Sequence, residues 1–225
     1  MRLLDNIKIK QAQVNQEFFP FFHIENAFNE NLDPAELVDN FPSIESGGSF
    51  HTENLIDGSI KNLVDELEGD DFKQILEDKF QIDLSDAQVV TTLRGYSRSK
   101  DGQIHTDSKT KILTVLLYLN PNWNSTAGNL RLLKINNSLD HYIKEISSEF
   151  GNLVAFKVTD DCWHGFEAFE GKRLSIQLNY IYPQSLQAHK VRHKLSSYLK
   201  KLFKMFKLSC LKFNIGLTIN DIFKF

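Results

Sequence analysis

The spacing of apolar residues in the first third of the chain is that of amphipathic helices. Between Ile60 and Phe80, apolar residues recur every three or four positions, with a break at Gly69. This spacing predicts a helical stretch interrupted at the glycine. Further upstream, the pair Asp33-Pro34 predicts a helix start, with the aspartate as N-cap and the proline as first helical residue.

From Gln88 onward the pattern changes to short runs rich in β-branched and aromatic residues. Such runs lie at 89–93, 112–119, 130–133, 153–158 and 174–181. Turns are predicted at Gly47, Gly48 and Gly95. Many short strands without intervening helices are typical of a jelly roll, so we predict a mainly β fold with some α-helix. We expect the helices of about 1–86 to pack on one sheet of a jelly-roll core that covers about 87–183. Helices and core together form a predicted domain over 1–185.

The remaining segment, 186–225, has the pattern of a basic amphipathic C-terminal helix. Ten Lys and Arg residues and no acidic residue lie between Glu170 and Asp221, although the whole chain has a net charge of −3. Two interpretations stay open. The helix docks its apolar stripe on the domain, or residues 190–212 bind an anionic membrane surface or an acidic partner. Nucleic-acid binding is disfavoured because no recognised motif accompanies the charge.

Composition narrows the class of protein. The chain has 41% hydrophobic and 24% charged residues, as ordinary globular domains have. Its two cysteines, Cys162 and Cys210, lack the CxxC spacing of zinc ribbons and favour a reducing compartment. The N-terminus breaks its apolar run with charge before a signal-peptide core could form, so a cytoplasmic location is expected.

Candidate metal ligands lie at two places in the β-rich part. His105 and Asp107 are two residues apart, so in extended backbone both side chains project to the same side. A His-x-Asp pair alone is common by chance. With His164 as a third ligand, the set becomes the two-histidine, one-carboxylate triad of non-haem Fe(II) oxygenases.

Two predicted strands carry a polar face. On the predicted strand over 112–119, Thr114 and Tyr118 lie on one face and apolar residues on the other. The last predicted strand, around 174–181, alternates in the same way. The polar residues of the last strand are Arg173, Ser175, Gln177 and Asn179. A strand that lines a polar ligand cavity has this pattern, whereas a strand buried in an apolar core does not. Both strands can therefore offer hydrogen-bond donors to one ligand.

From about Leu93 to Tyr182 the sequence resembles the Fe(II)- and 2-oxoglutarate-dependent oxygenases, and within them the prolyl-hydroxylase-like group. The motifs that carry the resemblance are His105-Thr-Asp107, the segment 114–120 leading to Trp123, Gly128-Asn-Leu130-Arg131, His164, and Arg173 nine residues later. The run His-Thr-Asp-Ser-Lys is similar to a bacterial subgroup. Ala127-Gly128 stands where the family often has two glycines.

The resemblance implies a double-stranded β-helix in which His105, Asp107 and His164 bind Fe(2+). It implies that Arg173 pairs with the distal carboxylate of 2-oxoglutarate. The further expected cosubstrate-binding residues are Tyr118, Thr114, Tyr96, Leu130 and Ser175. The implied reaction uses 2-oxoglutarate and dioxygen, with ascorbate as a candidate reductant, to hydroxylate a substrate and release succinate and CO2.

A protein side chain, a sugar and a small metabolite all remain open as the substrate. The alternative function is a noncatalytic jelly-roll binding protein that acts through its basic C-terminal helix. The intact set of candidate iron ligands counts against that alternative, because a binding module has no need of them.

Overall fold

Four α-helices lie in the N-terminal part of the described chain, which comprises residues 2–185 of a computed structural model. They are α1 (Asn6–Gln11), α2 (Pro34–Val38), α3 (Ser59–Glu68) and α4 (Asp70–Phe80). The predicted start at Asp33 is confirmed, because its carboxylate accepts the backbone N–H of Ala35. The predicted break at Gly69 is also confirmed, since this residue separates α3 from α4. Over the described residues, none of the helices has the length and apolar character needed to cross a membrane.

Two antiparallel sheets form the β-rich part. The strands are β1 (Phe21–Ile24), β2 (Phe50–His51), β3 (Gln88–Ser97), β4 (Lys111–Tyr118), β5 (Leu130–Leu133), β6 (Tyr142–Ile146), β7 (Leu153–Lys157), β8 (His164–Gly165) and β9 (Gly171–Ile181). The larger sheet has the order β1-β7-β4-β9-β3-β2, and the smaller one β6-β5-β8. Apart from the pairs β2–β3 and β5–β6, neighbouring strands are non-consecutive in sequence, as in the predicted double-stranded β-helix, and the mainly β fold class is confirmed.

The alternation of side chains along the strands creates two separate apolar clusters. On β4, Leu113, Val115 and Leu117 pack in one cluster with the buried faces of α3 and α4. Tyr118 lies instead in a second cluster with Leu130 of β5, in the space between the two sheets. The helices therefore cover one face of the larger sheet, as predicted, and leave its other face to line the interior of the β-helix.

Gly95 does not form the predicted turn. It lies inside β3, beside an irregularity in the β3–β9 register between Arg94 and Tyr96. A Cβ atom at Gly95 would lie 2.6 Å from the Cβ of Ile44, so the glycine permits close approach of a neighbouring segment within a continuous strand. The predicted basic helix over 186–225, with its 190–212 surface, lies outside the described residues.

Candidate active site

The backbone brings two histidines from distant parts of the chain side by side. The amide N of His105 donates to the carbonyl of His164 at 3.0 Å, and the amide N of His164 donates back at 2.9 Å. Their ring centroids are 4.3 Å apart. His164 lies in β8, and on its other side β8 pairs with β5, where Leu132 is opposite His164. The smaller sheet thus positions one imidazole directly against the other.

Two glycines make this close approach possible. Gly102 has φ of +94°, and a Cβ atom there would lie 2.4 Å from the carbonyl oxygen of Phe166. A Cβ atom at Gly165 would lie 2.8 Å from the carbonyl oxygen of Gly102. Both neighbours are backbone atoms, which cannot rotate away as a side chain can. Larger residues at these positions would push the two histidine segments apart.

Each imidazole has its orientation set by a backbone carbonyl. The Nδ1 of His105 lies 2.8 Å from the carbonyl oxygen of Gln103, and the Nδ1 of His164 lies 2.8 Å from that of Cys162. Because a carbonyl only accepts, Nδ1 carries a proton in both rings, and Nε2 is the nitrogen that can offer a lone pair to a metal ion. Burial and repulsion from His105 lower the pKa of His164 to about 4, so its ring is neutral at neutral pH.

Asp107 completes a compact set of three ligands. One ligand atom from each of His105, Asp107 and His164 lies within 4.8 Å of the others. The Asp107 carboxylate is held by Lys111, whose Nζ lies 2.7 Å from Oδ1, and by the Thr114 hydroxyl, which donates to Oδ2 at 2.5 Å. Burial alone would raise the pKa of Asp107, but the Lys111 charge, the neighbouring His164 ring and these hydrogen bonds together lower it. The carboxylate is therefore ionised and oriented.

Arg173 is a buried cation that has no acidic partner among the described residues. Its side chain is 7% exposed, and Nε donates to the carbonyl of Gly128 at 2.9 Å and to the hydroxyl of Ser148 at 3.0 Å. Its guanidinium carbon also lies 4.3 Å from the ring centroid of Phe166. Within residues 2–185, no carboxylate lies within ion-pair distance of it. Since an uncompensated buried charge is costly, this guanidinium is suited to bind an anion.

Three of the expected cosubstrate-binding residues lie around this guanidinium or on the same inner wall. The hydroxyl of Tyr118, which is fully buried, accepts a hydrogen bond from Arg173 Nη2 at 3.4 Å. Ser175 is buried and lies directly opposite Tyr118 in the β4–β9 register. Leu130 packs in the same inner cluster as Tyr118.

The remaining two residues make other contacts, and their cosubstrate role stays a prediction. The Thr114 hydroxyl lies 2.5 Å from Asp107 Oδ2 and 3.1 Å from Asn179 Oδ1, so Thr114 orients a candidate metal ligand. Tyr96 lies opposite Lys172 beyond the register irregularity and lines a surface pocket of about 500 Å³ with Gly95. Among the described residues, Tyr96 makes no side-chain hydrogen bond to the ligand set or to Arg173.

Three residues of the site escaped the sequence argument. Lys111 is four residues after Asp107 and pairs with it, but such a spacing is common for charged residues. Ser148 lies between β6 and β7, where no pattern identified it. The strand pattern offered a signal for Arg94. It follows Leu93, which packs against the helices, so its side chain projects to the opposite face, toward the interior of the β-helix.

Comparison with known proteins agrees with the motifs and the fold. Residues 91–181 match the family model of the 2OG-Fe(II) oxygenase superfamily. The structure is similar to a prolyl hydroxylase from Trichoplax adhaerens that was solved in complex with a hypoxia inducible factor oxygen degradation domain peptide fragment. The identity is 20%, the match covers 80% of this chain and 91% of that chain, and the TM-score is 0.52. This likeness supports the fold.

Two bacterial structures are similar over a shorter part. One is a Pseudomonas putida prolyl-4-hydroxylase with 18% identity. The match covers 54% of this chain and 63% of that chain, and the TM-score is 0.40. The other is a Burkholderia pseudomallei oxidoreductase of the 2OG-Fe(II) oxygenase family with 10% identity. That match covers 54% of this chain and 55% of that chain, and the TM-score is 0.40. The chain thus spans less than two thirds of their lengths. No curated protein is significantly similar to it.

Proposed function

We propose, from the premise that this chain is a 2OG-Fe(II) oxygenase of the prolyl-hydroxylase-like group, that it hydroxylates a C–H bond of a substrate molecule. Enzymes of this superfamily use Fe(II), 2-oxoglutarate and dioxygen. In the balanced reaction, one oxygen atom of dioxygen enters the substrate as hydroxyl and the other enters succinate, with loss of CO2. The observation that carries the proposal is the buried guanidinium of Arg173, which has no carboxylate partner within residues 2–185 and lies in the same β-helix as the three-ligand cluster.

The ligand set fits Fe(II) in its chemistry. Two imidazoles and one carboxylate, contributed by His105, His164 and Asp107, are the donors of a facial triad, which leaves coordination positions for other molecules. Both imidazoles already present Nε2, and the carboxylate is ionised. The chemistry that bound iron and 2-oxoglutarate supply is the reductive activation of dioxygen.

Arg173 and Tyr118 would hold the distal carboxylate of 2-oxoglutarate. The guanidinium supplies the positive charge, and the Tyr118 hydroxyl, whose pKa is raised by burial, stays protonated and can donate. In a water-poor interior, such charge-assisted hydrogen bonds are stronger than they are at a surface. Phe166 covers one face of the guanidinium and keeps water from it.

Metal binding and turnover together test the proposal. The protein is loaded with Fe(II) without oxygen, 2-oxoglutarate is added, and the visible absorption of the Fe(II)–2-oxoglutarate chelate is recorded. Succinate is then measured after air is admitted, with ascorbate present to keep the iron reduced. We expect one iron per chain, the chelate absorption, and slow succinate release even without substrate.

The variant His164→Ala should lose iron, absorption and succinate together. His141→Ala is the matched control, because His141 is exposed and the described hydrogen bond of its side chain is to the Asn137 side chain. Full iron binding in His164→Ala would contradict the metal assignment. Iron binding without the chelate absorption would show a metal protein that does not take 2-oxoglutarate.

A further inference from the structure

A second arginine stands on the inner wall of the β-helix. In the sheet register, Tyr118 of β4 lies opposite Ser175 of β9, and Ser175 lies opposite Arg94 of β3. Residues opposite one another in a sheet project from the same face. Leu93 packs on the other face, in the core shared with the helices. Arg94 therefore belongs to the same surface as the proposed 2-oxoglutarate site.

Arg94 is surrounded by charged groups and still open to water. Burial and repulsion from Arg173 lower the pKa of the Arg94 guanidinium, and attraction to Asp101 and Asp107 acts in the opposite direction. The side chain is nevertheless exposed. A side chain on a concave protein wall can be both enclosed by many protein atoms and accessible to water, because one of its sides faces solvent. The Arg94 guanidinium is positively charged at neutral pH.

Neither nearby carboxylate serves as the partner of Arg94. Asp101 is engaged by Arg98, whose Nη2 lies 2.7 Å from Oδ1. Asp107 has one oxygen on Lys111 and the other on Thr114. Over the described chain, Arg94 forms no ion pair within 4.0 Å. Two guanidinium groups on the same sheet face thus repel each other, and only Arg173 has a carboxylate assigned to it by the proposed function.

We propose that Arg94 binds an anionic oxygen group, a carboxylate, of the molecule that is hydroxylated. The inference rests on the proposed function and narrows its substrate class to compounds that carry a carboxylate close to the oxidised carbon. A planar guanidinium with free N–H groups matches a carboxylate in a bidentate manner. The carboxylate can be the free end of a small acid or the side chain of an acidic residue in a peptide.

The test uses probe molecules that differ only in this charge. The first pair is N-acetyl-L-proline and N-acetyl-L-prolinamide, and the second is acetyl-Pro-Asp-amide and acetyl-Pro-Asn-amide. Each probe is added to the protein loaded with Mn(II) and 2-oxoglutarate, and the broadening of its acetyl methyl resonance by the paramagnetic ion is measured. We expect the carboxylate member of at least one pair to bind at least about tenfold more tightly than its amide. The first pair reports a free acid and the second an acidic residue.

The variant Arg94→Gln should abolish the preference, and Arg94→Lys should retain part of it. Lys172→Gln is the control, because it removes a positive charge from β9 at an exposed position that does not line the inner wall. The affinity for 2-oxoglutarate should stay within about threefold of wild type in Arg94→Gln.

Three results would overturn the inference. They are equal binding of carboxylate and amide in both pairs, a preference that survives Arg94→Gln, and a tenfold loss of 2-oxoglutarate affinity in Arg94→Gln. The last result would assign Arg94 to the cosubstrate. Failure of the proposed function is visible separately, because Mn(II) or 2-oxoglutarate would then fail to bind wild-type protein before any probe is added.

Discussion

Replacing Lys111 by methionine should destabilise the metal-free protein much more than the metal-loaded protein. The Lys111 ammonium lies 2.7 Å from Asp107, and the two side chains are only 12% and 8% exposed. Without the lysine, the ionised Asp107 would keep the Thr114 hydroxyl but lose its ion-pair partner. A divalent cation bound beside Asp107 would supply that charge again, because a bound cation is the largest local charge in such a site.

The expected magnitude follows from the burial of the pair. Removing one member of a buried ion pair costs about 3 to 5 kcal/mol, and the remaining Thr114 hydrogen bond favours the lower end, about 3 kcal/mol. For a protein of this length, 1 kcal/mol shifts the melting temperature by about 2 to 4 °C. The Lys111→Met variant should therefore melt about 6 to 12 °C below wild type in EDTA. With saturating Mn(II), the difference should shrink by about half or more.

Thermal unfolding of both proteins, with EDTA and with Mn(II), measures this difference. Lys109→Met is the matched control, because Lys109 pairs with Asp160 at the surface, where the side chains are 84% and 73% exposed. That exposed pair should contribute little to stability under either condition, so the control should melt close to wild type. An equal loss for Lys111→Met with and without Mn(II) would refute the reasoning and show that Lys111 acts by packing.

Three further outcomes follow from the contacts. Arg173→Met should weaken 2-oxoglutarate binding at least about tenfold in calorimetry while Mn(II) affinity stays nearly unchanged, and an unaltered 2-oxoglutarate affinity would remove Arg173 from that role. Gly165→Ala should lower Mn(II) affinity about tenfold or more, because its Cβ would lie 2.8 Å from a backbone oxygen of Gly102. If a Mn(II) titration gave the wild-type affinity, the two histidine segments could separate without loss of the site. Burial lowers the pKa of His23, so the folded state resists its protonation and the free energy of unfolding should fall as pH drops below about 6.5. Urea unfolding at several pH values should show a shallower fall in His23→Gln, and an identical fall in both proteins would contradict the assignment.

Local patterns along the chain were enough for much of the fold. Helix periodicity and capping depend on neighbours within four residues, so α2, α3, α4 and the break at Gly69 could be predicted from the sequence. The polar alternation along β9 likewise predicted that Arg173 and Ser175 face a ligand cavity. The family motifs predicted the reaction class, and residues 91–181 match the family model of the 2OG-Fe(II) oxygenase superfamily.

The sequence alone could not give the short or irregular strands. β8 contains only two residues, His164 and Gly165, which no periodicity can reveal. The register irregularity beside Gly95 was also hidden, because it depends on the partner strand β9 and on the close approach of Ile44. For the same reason the placement of Tyr96 could not be read from its spacing to the His-x-Asp motif.

The chain by itself determined which chemical groups are present, in which order, and on which face of their own strand or helix. Only the tertiary structure decided which of them meet. The pairing of His105 with His164 joins segments almost sixty residues apart through two backbone hydrogen bonds, of 3.0 and 2.9 Å. The row from Tyr118 through Ser175 to Arg94 exists only because three strands distant in sequence are neighbours in one sheet. Contacts of this kind depend on register between strands, and register is set by the packing of both faces of the sheet, not by the residues of one strand.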